Sequence, residues 1–178
     1  MKVVIESYLT ESKLADALRK LVGDSWAGVQ IPLPGSRCRF DMSFRSGRTT
    51  VLVEYDGEEH YRDSLKIRSD AQKDALAAAN GARVVRVPYW VQLDRVMAQH
   101  WFGLDAEIEQ SFPHGFISTK RFPASFCELG VVRFRRDLDA LPVPVREAVV
   151  GSLRERIVEY GIEYVLPADL RELVSANG

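Results

Sequence analysis

Apolar and polar residues alternate through Phe40, Met42 and Phe44, the two-residue period of a half-buried strand. After a turn at Ser46 and Gly47, Val51, Leu52 and Val53 run without interruption, like a strand buried on both faces. Arg37–Phe44 and Thr49–Tyr55 therefore predict an antiparallel pair, entered through a brief extended segment at Val29–Pro34. Upstream, Thr10 stands as an N-cap before a run that sets Leu14, Leu18, Leu21 and Val22 on one helical face, with Gly23 as the stop. Downstream, Ser64–Asn80 is alanine-rich and free of Gly and Pro, and Ile67, Ala71, Ala75, Leu76 and Ala79 recur at helical spacing. Asn80 and Gly81 close that helix, and Ala82–Pro88 reads as a strand of apolar and basic alternation.

Beyond Trp90 the pattern predicts a helix at Gln92–Trp101 and irregular structure rich in Phe, Pro, Gly and Ser at Ser111–Gly130. A solvated strand face follows at V-V-R-F-R-R, then a helix at Val143–Tyr160 closed by Gly161, and a short last helix at Pro167–Ala176. This order defines an α/β (α+β) chain with a small mixed central sheet flanked by helices in residues 1–95. Residues 96–178 are expected to form a helical and irregular extension packed on that core.

Composition bounds the chemistry. A chain of 178 residues with 46% hydrophobic side chains has enough apolar material for one sizeable core. Cys38 and Cys127 lack the spacing of a zinc site or a disulfide framework and read as reduced structural thiols. No apolar run reaches membrane-span length, and M-K-V-V-I-E-S-Y lacks the apolar stretch of a signal peptide, so a cytoplasmic protein without membrane association is expected. A formal net charge of −1 does not announce a nucleic-acid binder. Basic residues nevertheless gather locally, with Arg37, Arg39, Arg45 and Arg48 around the first predicted strand, Lys66, Arg68 and Lys73 after the second, and Arg133, Arg135 and Arg136 further on. The aromatic residues Tyr89, Trp90, Trp101, Phe102, Phe112, Phe116, Phe122 and Phe126 suit a core more readily than a base-stacking surface.

Carboxylates inside apolar strands require a partner, because burying one unpaired costs several kcal/mol. Asp41 lies between Phe40 and Met42, and Glu54 and Asp56 lie two residues apart on one strand face. Carboxylates on adjacent strands can converge on one divalent cation, the group that phosphodiester hydrolysis needs to neutralise phosphoryl charge and deprotonate water. Bland readings compete: Asp56-Gly57 is an ordinary turn dipeptide, His60 an ordinary surface histidine, and Asp70, Lys73 and Asp74 ordinary helix-surface ion pairs.

The run from Asp41 through V-E-Y-D-G-E-E-H-Y, then R-S-D-A-Q-K-D-A-L and G-A-R-V-V-R-V, resembles the PD-(D/E)XK nuclease superfamily. The likeness is greatest to its very-short-patch repair endonuclease-like branch and covers about residues 8 to 90, half the chain. The resemblance implies a restriction-endonuclease-like core and a Mg²⁺- or Mn²⁺-dependent endonuclease acting on DNA, duplex ahead of single strands. It makes Asp41 and Glu54 metal ligands with the Tyr55 carbonyl, His60 a general base or transition-state stabiliser, Asp70 or Asp74 the acid that orients it, and Glu11, or Glu6 instead, the first-helix acid. Arg45, Arg48 and Arg68 are the expected nucleic-acid contacts. A homodimer would supply two sites for duplex cutting, and no sequence feature decides for one. The family's E-x-K lysine is here Asp56, which leaves its role to Lys73 or His60; with neither, the chain would be a nuclease-fold module that binds nucleic acid or a protein partner without cutting.

Overall fold

The computed structural model describes residues 2–175. In chain order its elements are β1 (Lys2–Ile5), α1 (Glu11–Val22), β2 (Trp26–Pro32), β3 (Arg39–Ser46), β4 (Thr49–Asp56), α2 (Glu59–Arg62) and α3 (Ser64–Ala79). There follow β5 (Arg83–Pro88), α4 (Arg95–Phe102), β6 (Glu107–Gln110), α5 (Glu128–Asp139), α6 (Val143–Tyr160), α7 (Ile162–Val165) and α8 (Glu172–Ser175). The described residues form two units. One runs to Asp56 and resumes over Ser69–Phe112; the other joins Gly57–Arg68 to the residues from Pro113 onwards.

The first unit carries a four-stranded mixed sheet in the order β2-β3-β4-β5 and a separate parallel pair of β1 with β6. Ser46 pairs with Thr49 across a two-residue hairpin, and Gly47 at φ +59° supplies the left-handed conformation such a turn needs. Met42 lies against Val53 and Phe44 against Val51, while β5 joins β4 in parallel with Arg86 beside Glu54. Phe40, Met42, Phe44, Val51, Leu52 and Val53 are buried, so both the alternating and the continuous apolar patterns are core. Thr10 caps α1 by accepting from the Lys13 N–H at 3.3 Å, and Leu14, Ala17 and Leu18 are its buried face.

Two patterns misled. The face of α3 expected to pack, Ile67, Ala71, Ala75, Leu76 and Ala79, is exposed apart from a half-buried Ile67. Asp70, Lys73, Asp74 and Ala77, at i, i+3, i+4 and i+7, turn inward instead, with Ala77 against Phe40 and Leu52. Alanine tolerates either environment, so the charged partners on the sheet decide the rotation. Likewise V-V-R-F-R-R is not a strand but the centre of α5, because Gly130, Arg133, Phe134 and Leu138 form one buried helical face over a longer window.

In the second unit Tyr61 stacks on Phe126 at 5.0 Å and Phe134 meets Phe116 and Phe126 edge-on, above the buried Val145, Val149 and Leu153 of α6. Gly130 is required there: a Cβ at that position would lie 1.7 Å from the Tyr61 carbonyl oxygen. Of the predicted last helix, Ala168–Leu170 form a single 3₁₀ turn and Glu172–Ser175 a short helix, while Ala176 lies outside the described residues. No described helix is long and apolar enough to cross a membrane.

Candidate functional site

In the first unit the β3–β4 ladder ends at Met42 and Val53, and its register sets Asp41 across from Glu54. Here carboxylates replace main-chain acceptors. The Asp41 N–H donates to Glu54 Oε1 at 3.2 Å, and the Tyr55 N–H donates to Asp41 Oδ2 at 2.8 Å. From α3, Lys73 Nζ donates to the same Glu54 Oε1 at 2.6 Å and stands 4.3 Å from the centre of the Phe40 ring. Asp41 Oδ1 and Glu54 Oε2 have no hydrogen-bond partner among the described residues.

Burial pushes the Glu54 carboxyl above the ordinary glutamate range; the Lys73 hydrogen bond pulls it down, and the Asp41 charge pushes it up again. Glu11 has an exposed side chain overall, yet crowding of its carboxyl and then the charge of Asp41 raise it as well. Burial, followed by Glu11, pushes the Tyr55 phenol up to about 12, and its hydroxyl donates to the Leu9 carbonyl at 2.8 Å. Glu11, Asp41, Glu54 and Lys73 thus form one electrostatically coupled group. Glu6, the alternative to Glu11, is exposed after β1.

A second group adjoins the first through the β4–β5 register. Arg86 reaches from β5 to Asp56 Oδ1 at 2.8 Å, to both oxygens of Asp74 at 2.8 and 2.9 Å, and to Asp70 Oδ1 at 3.5 Å. Burial would weaken the guanidinium's hold on its proton, but Asp74, Asp56 and Asp70 more than offset it, so Arg86 is held firmly protonated. Asp56 is fully buried, and Asp70 nearly so. Asp56 is therefore not a stand-in for the absent E-x-K lysine. It is the anionic anchor of a guanidinium, and Asp70 and Asp74 are its co-anchors rather than surface ion pairs. Arg86 was missed by sequence reasoning, although Asp56, Asp70 and Asp74, with a basic-alternating strand nearby, contained the signal.

His60 lies in the second unit, half-buried on α2, and its carbonyl accepts from Arg133 Nη1 at 3.1 Å. Arg45 and Arg48 are exposed at the β3–β4 hairpin, where Arg45 Nη2 donates to the Arg48 carbonyl at 3.2 Å; Arg68 is exposed on α3. The other basic run pairs within the second unit, with Arg136 still exposed. Arg133 is buried over the Tyr61 ring, Arg135 pairs with Glu172 and the Asp169 carbonyl, and Arg136 pairs with Asp137. Trp90, Trp101, Phe102, Phe116, Phe122 and Phe126 are core.

The donors of the first group are carboxylate oxygens, the ligand type that hard divalent cations take. They come from two adjacent strand positions, two of them unpartnered, in a cluster where burial disfavours negative charge. No family model, curated protein or solved structure matches this chain.

Proposed function

We propose that Asp41, Glu54 and Lys73 are the hydrolytic centre of a divalent-metal-dependent DNA endonuclease built on a restriction-endonuclease-like core. The observation that carries this reading is Lys73 Nζ at 2.6 Å from Glu54 Oε1, beside Asp41. On this reading Asp41, Glu54 and Lys73 would fill the acid, acid and lysine roles of the PD-(D/E)XK pattern, with the lysine coming from α3 rather than from the strand position that Asp56 occupies. Asp41 and Glu54 would hold Mg²⁺ or Mn²⁺ through their free oxygens, and the Tyr55 carbonyl is the proposed third ligand. Bound there, the ion would neutralise charge on the scissile phosphate and acidify a water.

The residues themselves supply the rest. The Lys73 ammonium, with a long stem passing over Phe40, presents a positive charge and N–H donors where anionic charge develops in a phosphoryl transfer. The Tyr55 N–H fixes the Asp41 carboxylate, and the Asp41 N–H fixes Glu54, so neither acid must be ordered when a cation arrives. Arg86 holds β4, β5 and α3 in the register that brings Lys73 to Glu54.

The test is cleavage of supercoiled, linear, mismatched and single-stranded DNA with Mg²⁺ or Mn²⁺. Cutting of at least one substrate is expected, abolished by EDTA and reduced at least about a hundredfold by Asp41→Ala and by Lys73→Met. If all four substrates stay intact and Asp41→Ala leaves Mn²⁺ binding unchanged, the enzyme reading is overturned and a nuclease-fold module that does not cut takes its place.

A further inference from the structure

In the second unit, residues between Ser118 and Ser125, together with Glu163 and Tyr164, line a cavity of about 530 Å³, a size that takes a nucleotide. Its aromatic lining is Phe122 and Tyr164, and Tyr160 adjoins both from outside the lining. Phe116, Phe122 and Phe126 are at most 9% exposed, whereas Tyr160 is 38% and Tyr164 65% exposed. These two tyrosines are not loose. Phe122 backs both, with ring centres 5.5 Å from Tyr160 and 5.9 Å from Tyr164, and the tyrosines are 5.7 Å apart. The Tyr160 hydroxyl is further tied to Glu159 and Ser118. The result is a braced platform with one aromatic face left to solvent.

The polar rim selects the ligand's charge. Lys120 lines the cavity and makes no ion pair with any described residue. Arg121 lies beside it, 3.5 Å from Glu58, and the one carboxylate in the lining, Glu163, faces Arg171 at 3.8 Å. A flat π-face next to an uncommitted ammonium suits an unpaired base followed by its phosphate, and duplex DNA offers no free base face to stack.

We infer that this cavity is a binding site for single-stranded nucleic acid, stacking an unpaired base on Tyr164 and holding a neighbouring phosphate at Lys120. It stands on the second unit's residues alone and goes beyond the hydrolytic role proposed for the first. The test is fluorescence anisotropy of the whole chain in EDTA with fluorescein-labelled oligothymidylate, compared with a duplex of equal length. Preferential binding of the single strand is expected. Tyr164→Ala should weaken it about 5- to 150-fold and Tyr164→Phe should preserve it, since stacking needs the ring and not the hydroxyl. Lys120→Ala should lower the slope of log affinity against log salt by about 0.7. A wild type that binds the oligonucleotide yet cuts none of the DNA substrates with Mg²⁺ or Mn²⁺ would overturn the nuclease reading and leave this one standing. The inference is overturned if the wild type does not bind the oligonucleotide, if duplex binds equally well, or if Tyr164→Ala binds like wild type. It is also overturned if a proline-rich peptide, and not the oligonucleotide, occupies the tyrosine face.

Discussion

Replacing Arg86 by methionine removes a guanidinium that faces Asp56, Asp70 and Asp74 together. The side chain is only 12% exposed and donates three hydrogen bonds of 2.8 to 2.9 Å to two of these acids, with Asp70 at 3.5 Å. Hydrogen bonds to charged groups contribute about 1.5 to 3 kcal/mol each, but the two to Asp74 count for less because its side chain is 38% exposed. The larger effect comes from what is left behind. Asp56, with no exposure, and Asp70, at 6%, become buried carboxylates that have lost this guanidinium, a change that destabilises by about 3 to 5 kcal/mol. For a chain of this length that is a fall in melting temperature of roughly 6 to 20 °C. Arg86→Lys should recover part of it at most, because a point charge on one stem does not reproduce the fork that spans three acids.

The pH dependence is the more discriminating readout. In the variant the stranded aspartates have folded-state pKa values raised above their unfolded value of about 3.9. Such groups contribute stability that is present below the unfolded pKa and lost as pH rises through the folded one. The deficit of Arg86→Met against wild type should therefore be full at about pH 7.5 and shrink towards about pH 4.5, measured by urea denaturation followed by far-UV circular dichroism. A deficit below about 1 kcal/mol, or one of equal size at both pH values, would mean that the three acids do not depend on this guanidinium.

Three further outcomes follow from the same geometry. Asp56→Lys, which restores the family's strand lysine by sequence, should fail to fold or lose at least about 4 kcal/mol, since it places a second buried cation against Arg86; soluble yield and circular dichroism decide. Because burial holds Glu54 above its usual pKa, its proton competes with a cation, so the rise in melting temperature on adding Mg²⁺ should grow from about pH 5 to about pH 8 and vanish in Glu54→Gln; a rise that is flat with pH speaks against Glu54 as a ligand. Gly130→Ala should destabilise by at least about 2 kcal/mol in thermal melts, because its methyl group would strike the main-chain carbonyl of Tyr61; a neutral effect would deny the close approach of α5 to α2.

What could be read in the sequence was whatever local chemistry decides. Thr10 and Gly23 bound α1, Gly161 ends α6, and the turn at Ser46 and Gly47 joins β3 to β4, so Asp41 and Glu54 could be read as acids on adjacent strands. What escaped was decided by partners distant in the chain. The strands β1 and β6 are four residues each and pair with one another across about a hundred positions. The rotation of α3 was illegible because alanines lie on both of its faces, and the orientation is fixed by ionic partners on β4 and β5. Arg86 looked like one more outward basic residue of an alternating strand. Only the parallel register that sets it beside Glu54 reveals it as an inward one.

That register also explains why a helix with charged residues on its inward face is stable against a sheet. Glu54 and Arg86 are neighbours across β4 and β5, so the sheet presents one anionic and one cationic position side by side. The inward positions of α3 are complementary: Lys73 meets Glu54, and Asp70 and Asp74 meet Arg86. Sliding α3 by one residue, or rotating it to bury its alanines, would set like charges together and leave Asp56 without its cation. The ion pairs thus specify one docking of the helix where apolar packing would accept several. Lys73 serves Glu54, and Arg86 serves Asp56, Asp70 and Asp74. Arg86 is fully committed to its three aspartates. Asp41 and Glu54 each keep an oxygen without a hydrogen bond among the described residues, and under the proposed reading a divalent cation would sit there.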